Sequence, residues 1–460
     1  MCTVIGRLVA ITACLLLSGV LVCRSPAWAV PMIPAGNVSE AFDAKALGRL
    51  LDDLAGQQAE VVAIQRELVS RPALNPEHGG DGEEVKARWI ETYLQANDLP
   101  LAERMDSVDD RVSSKVRPNL VIRYPGSGPR TLWIVGHMDT SPVGQPELWI
   151  GSPWVLRQDG DWLYGRGVED NHRSLVTGLL LLKRLAANKI VPPTGLGLVF
   201  VCEEKIGFPR ERGLKFLLEK RPDLFKPGDL VLLPDYGEEG GELISVAEKG
   251  VAWLKVTVYG QQSFAARPEL GVNALEAGAS LIAALPDINK LFGQRNTLFT
   301  PPLTTVTATK VEKGTEEVNQ IPGLFTFYLD VRLLPGAHLE EVEQALLTLA
   351  EQRLAQYGAS MKLERIMHIP AMDETPVDAP VVRALSQAVR EQLGVTPRVE
   401  GMSGITLAAE LRAHKIPVAV WAMSPCRGVD ANESISIQEL LQTASVFARM
   451  LYWQDAREAR

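Results

Sequence analysis

From Val116 onward, short apolar runs alternate with stretches whose apolar residues recur every three or four positions. VRPNLVIRYPG (residues 116–126), TLWIVGHMDT (131–140), GLGLVFVCEEKIG (195–207) and DLVLLPDYG (229–237) read as strands. SLVTGLLLLKRLAANK (174–189) and RERGLKFLLEKR (210–221), placed between them, carry helical spacing. Apolar strands separated by helices predict an α/β fold built on a mostly parallel sheet, with polar residues gathered at its carboxyl edge. Two amphipathic segments, residues 47–71 and 83–99, precede this alternation and read as helices. Residues 141–160 contain Pro142, Pro146, Pro153 and three glycines, and read as a loop.

The texture changes near Glu248. GVAWLKVTVYG (250–260), LTTVTATKVEKG (303–314), GLFTFYLDVRLLPG (323–336) and SMKLERIMH (360–368) alternate with period two, as half-exposed strands do. NALEAGASLIAAL (273–285) and residues 338–358 are amphipathic helices among them. The pattern is that of an α+β unit, residues 249–364, inserted between two segments of one α/β domain, residues 30–248 and 365–460. The first pattern resumes in VVRALSQAVREQLG (381–394), GITLAAELRAHK (404–415) and IPVAVWAM (416–423).

The N-terminus adds a compartment. Arg7 precedes an apolar run from Leu8 to Cys23, and Ala27-Trp28-Ala29 follows as a small-x-small cleavage site. This is the order of a signal peptide over residues 1–29, so an exported protein, periplasmic or secreted, is expected. After residue 29 no stretch is long and apolar enough for a membrane span. The whole chain holds 47 basic and 56 acidic residues, a net charge of −9, and offers no basic surface for nucleic acid. Of its five cysteines only Cys202 and Cys426 lie beyond the signal, too few for a disulfide scaffold.

Chemistry concentrates at the strand ends. His137 closes one apolar run and Asp139 follows on the same side of an extended chain. Asp170 follows the Gly-rich LYGRGVED, the pair Glu203-Glu204 closes a third run, and Asp235 closes a fourth. In a parallel sheet these groups converge. One carboxylate shared by two ions, with a terminal ligand on each side, suits a pair of divalent metals. His78, His338, His368 and His414 lie outside these clusters and are expected to be ordinary surface or core residues.

GHMDTSPVG, LYGRGVEDN, CEEKIG, EKGVAWLKVTVYG, GVNA, VNQIP and LDVR occur in the order seen in the M20 metallopeptidases. The chain resembles that family across nearly all of residues 40–445. The family includes aminoacylases, acetylornithine deacetylase, succinyl-diaminopimelate desuccinylase and carboxypeptidase G2. The resemblance implies a zinc-peptidase catalytic domain with an inserted α+β lid, one or two Zn2+ ions, a homodimer formed through the lid, and a small peptide or N-acyl amino acid as substrate. It also implies roles. His137, Asp170, Glu204 and Asp235 would be metal ligands, with Asp170 shared. Asp139 would orient His137, and Glu203 would be the general base. Asn319 and Arg332 match lid positions that contact substrate or shape the lid strands.

The chain departs from the family pattern at three places. Phe264, in GQQSFAARP, stands where the family carries a lid histidine that stabilises the oxyanion. Val429 stands where the last metal-binding histidine precedes the glutamate, here Glu433, and Asp430 is the candidate replacement ligand. Gly404 stands where an acid is usual. Two readings follow: an exported zinc-dependent amidohydrolase or exopeptidase, and a catalytically impaired M20-like protein that binds metal or peptide without turnover. A serine hydrolase built on Ser403 is disfavoured, since GMSG lacks a nucleophile elbow. The signal reading predicts that the protein recovered from the exported fraction starts at Val30. Intact mass measurement checks this, and a mature chain that retains residues 1–29 contradicts it.

Overall fold

A computed structural model describes residues 44–205, 210–312 and 314–455. The expected signal segment lies outside the described residues. Among the described residues no helix is long and apolar enough to cross a membrane.

The central sheet has eight strands. In spatial order they are Glu103–Val108, Val116–Tyr124, Gly195–Val201, Thr131–His137, Leu230–Leu233, Val418–Trp421, Leu243–Glu248 and Arg398–Met402. The four central strands, from Gly195–Val201 to Val418–Trp421, are mutually parallel, and antiparallel pairs occur on either side of them. The strands are apolar throughout because both faces are covered. Leu132, Ile134, Leu196, Leu198, Phe200, Leu230 and Leu232 turn to one core. Trp133, Val135, Val199, Val201, Val231 and Leu233 turn to the other. The first core packs against the helices Ala44–Ala55, Gln58–Val69, His172–Ala187, Pro380–Leu393 and Ile437–Leu451. The second packs against the shorter helices Leu214–Lys220 and Ala408–Ala413.

The second sheet is fully antiparallel, in the order Thr305–Val311, Leu324–Leu333, Gly250–Tyr259, Ser360–Ile369. Helices Ala274–Leu291 and Leu339–Leu354 cover one face over Ala252, Leu254, Val256, Val258, Phe327 and Leu329. Trp253 and Tyr259 stay exposed, as the period-two pattern requires. The last strand runs to Ile369, five residues past the boundary expected from sequence. Arg332 joins the two sheets by donating to Ser403 O at 3.0 Å, while its guanidinium also pairs with Asp330 at 2.7 Å.

Several elements were not read from sequence, among them the edge strand Glu103–Val108, the hairpin Arg157–Asp159 with Trp162–Tyr164 that begins inside the expected loop, the sheet strands Leu243–Glu248 and Arg398–Met402, and the long C-terminal helix Ile437–Leu451. The first two are short and mostly polar, with no usable period.

Glycine sets the spacing at one central position. Gly197 lies opposite Trp133 in the parallel register, and a Cβ on it would fall 2.2 Å from the indole. Trp133 is fixed by its Nε1 donating to Asp229 at 2.9 Å and by Arg123 stacked 4.8 Å above the ring, so it cannot retreat. Gly197→Ala is therefore expected to cost about 1–3 kcal/mol through overpacking. Urea unfolding should show the lower midpoint, and the double variant with Trp133→Leu should recover part of the loss.

Candidate metal centre

His137 is the last residue of a buried central strand, and Glu203 and Asp235 follow the ends of its two neighbours. All three therefore reach the carboxyl edge of the sheet. Asp170 comes to the same edge from the turn before the His172–Ala187 helix. That helix packs tightly on the strand. A Cβ on Gly136 would lie 2.5 Å from Ser174 Cβ and 2.7 Å from Asn171 Oδ1, so only glycine fits before His137. Ser174 Oγ and Asn171 Nδ2 both donate to Pro234 O, at 3.0 and 2.9 Å, which ties the helix start to the Asp235 strand.

One atom each from His137, Asp170 and Asp235 lies within 4.8 Å of the others, and all three residues are buried. An imidazole and two carboxylates in that space are a donor set for a divalent cation such as zinc. His137 Nδ1 sits 2.9 Å from Asp139 O and 3.3 Å from Asp139 Oδ1, so the proton on Nδ1 is held by Asp139. Nε2 is then the ring atom aimed inward, 3.1 Å from Asp170 Oδ1. Asp139 Oδ2 in turn accepts from Lys205 N at 2.6 Å.

Glu204 joins this group, with Oε2 3.6 Å from His137 Nε2. Two cations also enter it. Lys205 Nζ lies 2.7 Å from Asp170 Oδ2 and 2.9 Å from Glu204 Oε2. Arg210 Nη2 lies 2.7 Å from Glu204 Oε1. The charges shape one another. Burial alone would raise each acid, but Lys205 and His137 hold Asp170 well below the usual range, and Arg210, Lys205 and His137 lower Glu204. Asp235 has no direct cation and is raised, by burial first and then by Asp170 and Glu204. Burial favours neutral His137, yet Glu204 and the bonds to Asp139 and Asp170 prevail and lift it to about 10.

Glu203 does not face this cluster. Its carboxylate accepts from Arg212 N at 2.6 Å and from the Arg212 guanidinium at 2.9 Å, with Arg111 3.8 Å away. The two neighbouring glutamates thus diverge, Glu204 inward and Glu203 to an arginine pair. Asp430 is exposed, as is Val429 at 76%. Between Val429 and the cluster lies Gly428, whose Cβ would be 2.0 Å from Asp170 Oδ2, so backbone closes that side. Cys426 Sγ stands 4.0 Å from the same oxygen, and both cysteines are free thiols. Asn319 is exposed beside the small strand pair that carries Phe264, itself 57% exposed, and its carbonyl accepts from Ala265 N at 2.8 Å. Asn319 makes no hydrogen bond to the metal cluster among the described residues, and Arg332 is occupied in joining the sheets.

Sequence alone assigns no positioning role to three groups that hold the cluster. Glu433 is buried and accepts from Arg166 Nη1, Gly167 N, Glu169 N and Asp170 N, all at 2.8–2.9 Å. It fixes the loop that presents Asp170. Lys86, buried under the site, donates to Met138 O at 2.9 Å and lies 2.8 Å from His172 Nε2, a neutral ring whose pKa burial and Lys86 push far down. Lys205 was visible only as the letter after the glutamate pair; nothing in its spacing told that it folds inward.

The family model for peptidase family M20/M25/M40 matches residues 133–453, the span that carries His137, Asp139, Asp170, Glu203, Glu204, Lys205, Asp235 and Glu433. The chain belongs to this family. An uncharacterized metallohydrolase of Methanocaldococcus jannaschii is 32% identical over 85% of this chain and 98% of its own length. A succinyl-diaminopimelate desuccinylase of Paracidovorax citrulli is 26% identical over 87% of this chain and 99% of its own. In fold, this M20 protein is similar to human carnosine dipeptidase 1, with a TM-score of 0.67 at 17% identity over 88% of this chain and 98% of that one. It is also similar to the Bacillus subtilis YXEP protein, described as a dinuclear metal binding peptidase, with a TM-score of 0.58 at 16% identity over 86% of this chain and 98% of that one. Membership makes this a metallohydrolase scaffold, and the buried convergence of His137, Asp170 and Asp235 gives it a candidate metal site.

If Glu433 acts by holding the Asp170 loop, Glu433→Gln leaves the ligands in place but loosens them. Metal affinity should fall about 10–100-fold. Chelator competition measures this, and an unchanged affinity in the folded variant would show that the loop needs no such anchor.

Proposed function

We propose that this protein is an exported, zinc-dependent M20 hydrolase that cleaves an amide bond in a small peptide or an N-acyl amino acid. The observation that carries the reading is the buried convergence of His137, Asp170 and Asp235 at the carboxyl edge of the sheet, with a glutamate pair on the adjoining strand end. The names of the relatives supply the bond type: desuccinylase and deacetylase among the sequence matches, dipeptidase among the structures.

A zinc ion held there supplies Lewis acidity to a water and to the scissile carbonyl. The protein's own groups do the rest. Asp139 keeps the proton on His137 Nδ1 and so keeps Nε2 directed inward. Glu433 holds the backbone of Asp170. Glu203 takes the proton of the attacking water and returns it to the leaving amine, a task for which its side chain must turn from Arg212 toward the cluster. Phe264 offers no hydrogen-bond donor to a developing oxyanion, so that task falls to the cluster itself. On this reading turnover is slower than with a donor in place, by roughly 10²–10³ if nothing substitutes. The lid assigned to residues 249–364 keeps an antiparallel edge, Ser360–Ile369 or Thr305–Val311, available for pairing with a second copy.

Zinc-reconstituted protein should hydrolyse members of a panel of dipeptides and N-acetyl and N-succinyl amino acids. Glu203→Gln should lower kcat by about 10²–10⁴ with the metal content unchanged. If the folded, metal-loaded protein turns over nothing in the panel yet binds one of its members in calorimetry, the impaired-binder reading replaces this one.

A further inference from the structure

We infer that the centre takes a single divalent ion, at His137, Asp170 and Asp235, and that the Lys205 ammonium permanently holds the second cation position, between Asp170 and Glu204. The inference rests on the metal-hydrolase reading for the first ion and goes beyond it for the second.

Asp170 presents its two oxygens to different neighbours. Oδ1 faces His137 Nε2 at 3.1 Å, on the side where Asp235 completes the donor set. Oδ2 faces Lys205 Nζ at 2.7 Å, on the side where Glu204 stands. A carboxylate shared by two ions would present its oxygens in this way. Here one of the two partners is a side chain. Nζ lies 2.9 Å from Glu204 Oε2, and that oxygen has no other hydrogen-bond partner among the described residues. The other Glu204 oxygen is held by Arg210 at 2.7 Å. Both acids available to a second ion are thus already matched by cations.

Among the described residues the further donors for that ion reduce to one thiol. Val429 has no ligand atom and is turned outward, Asp430 is exposed, and the Cα of Gly428 covers Asp170 Oδ2. Cys426, 4.0 Å from that oxygen, is the remaining candidate donor, and the backbone of Gly428 packs beside it. Charge gives the same answer. Asp139, Asp170, Glu204 and Asp235 carry four negative charges, and Lys205 and Arg210 return two. One divalent ion with neutral His137 brings the group to zero. A second would leave an excess of two positive charges in a buried site, a costly arrangement. The ammonium matches the two carboxylates that a second metal would have matched, on the side where Val429 supplies no ligand atom.

The test is metal stoichiometry and does not depend on turnover. Full-length mature protein is stripped, loaded with excess Zn2+, desalted and read by native mass spectrometry and elemental analysis. One ion per chain is expected. His137→Ala should abolish binding, weakening it more than about 100-fold, whereas Glu204→Gln should retain one ion with less than about tenfold change. Lys205→Ala, which leaves Asp170 Oδ2 and Glu204 Oε2 unmatched, should take up a second ion, and an uptake that stays at one ion in this variant overturns the role given to Lys205. Circular dichroism checks that each variant is folded. Two ions in the unmodified protein overturn the inference, as does a loss in Glu204→Gln equal to that in His137→Ala. Loading of none overturns it as well. If one ion binds and the substrate panel stays unhydrolysed, the assignment of function fails while the one-ion site stands.

Discussion

Four carboxylates, those of Asp139, Asp170, Glu204 and Asp235, are buried together at the end of a parallel sheet, and the surrounding structure answers to that fact. Two like charges 4 Å apart repel by about 4 kcal/mol even at an effective dielectric of 20. A buried ion left without a partner costs several kcal/mol more. Each acid therefore has an assigned counter-group: His137 for Asp139, Lys205 and His137 for Asp170, Lys205 and Arg210 for Glu204. Asp235 is the exception. Among the described residues its carboxylate receives only an amide N–H from Asn171 at 3.3 Å, and burial, then Asp170 and Glu204, raise its pKa. The deficit of positive charge is concentrated where the His137, Asp170 and Asp235 atoms come together, and that is where a cation is most favoured.

The fold supplies the rigidity this arrangement needs. Three of the groups leave adjacent parallel strands, so their relative positions are set by backbone ladders rather than by flexible loops. Asp170 alone comes from a turn, and it is the residue whose backbone is most heavily restrained. Glu433, from the C-terminal part of the chain, spends both carboxylate oxygens on the backbone N–H groups and the arginine of that turn. A contact spanning more than 260 residues thus closes the site. The C-terminal helix Ile437–Leu451, which starts four residues after Glu433, packs on the His172–Ala187 helix.

Much of this was legible in the sequence. Apolar runs ending in His, Glu or Asp located the central strands and the edge they share, and the switch to period two near Glu248 located the second sheet. The signal failed where polarity does not follow burial. Glu103–Val108 lies at the edge of the sheet and buries only Ser107, so it reads as coil. The site residues divided in the same way. Ligand-type residues at strand ends declared themselves, because their chemistry is unusual in apolar surroundings. Side-chain direction did not. Glu203 and Glu204 are the same letter, and only the positive φ of Glu203, 59°, together with Arg212 of the following loop and Arg111 shows why one turns away from the cluster and the other toward it. Lys205 looks like a solvated loop lysine until the fold shows that its stem runs along the cluster and only 19% of the side chain is exposed.

The departures from the family pattern are not equivalent in this light. Phe264 is an exposed ring on a two-residue strand and has no hydrogen-bond donor of its own. Val429 is different. Had the imidazole been lost alone, Asp170 Oδ2 and Glu204 Oε2 would face each other across a buried site with nothing between them. The ammonium of Lys205 meets both oxygens within 2.9 Å. An ammonium is a poorer polariser than a divalent ion, since it carries half the charge and cannot accept an electron pair. It does preserve the orientation of Asp170, whose other oxygen faces His137 and Asp235. A centre held in this way keeps the geometry of the His137, Asp170 and Asp235 donor set while offering less electrophilic power than a pair of divalent ions.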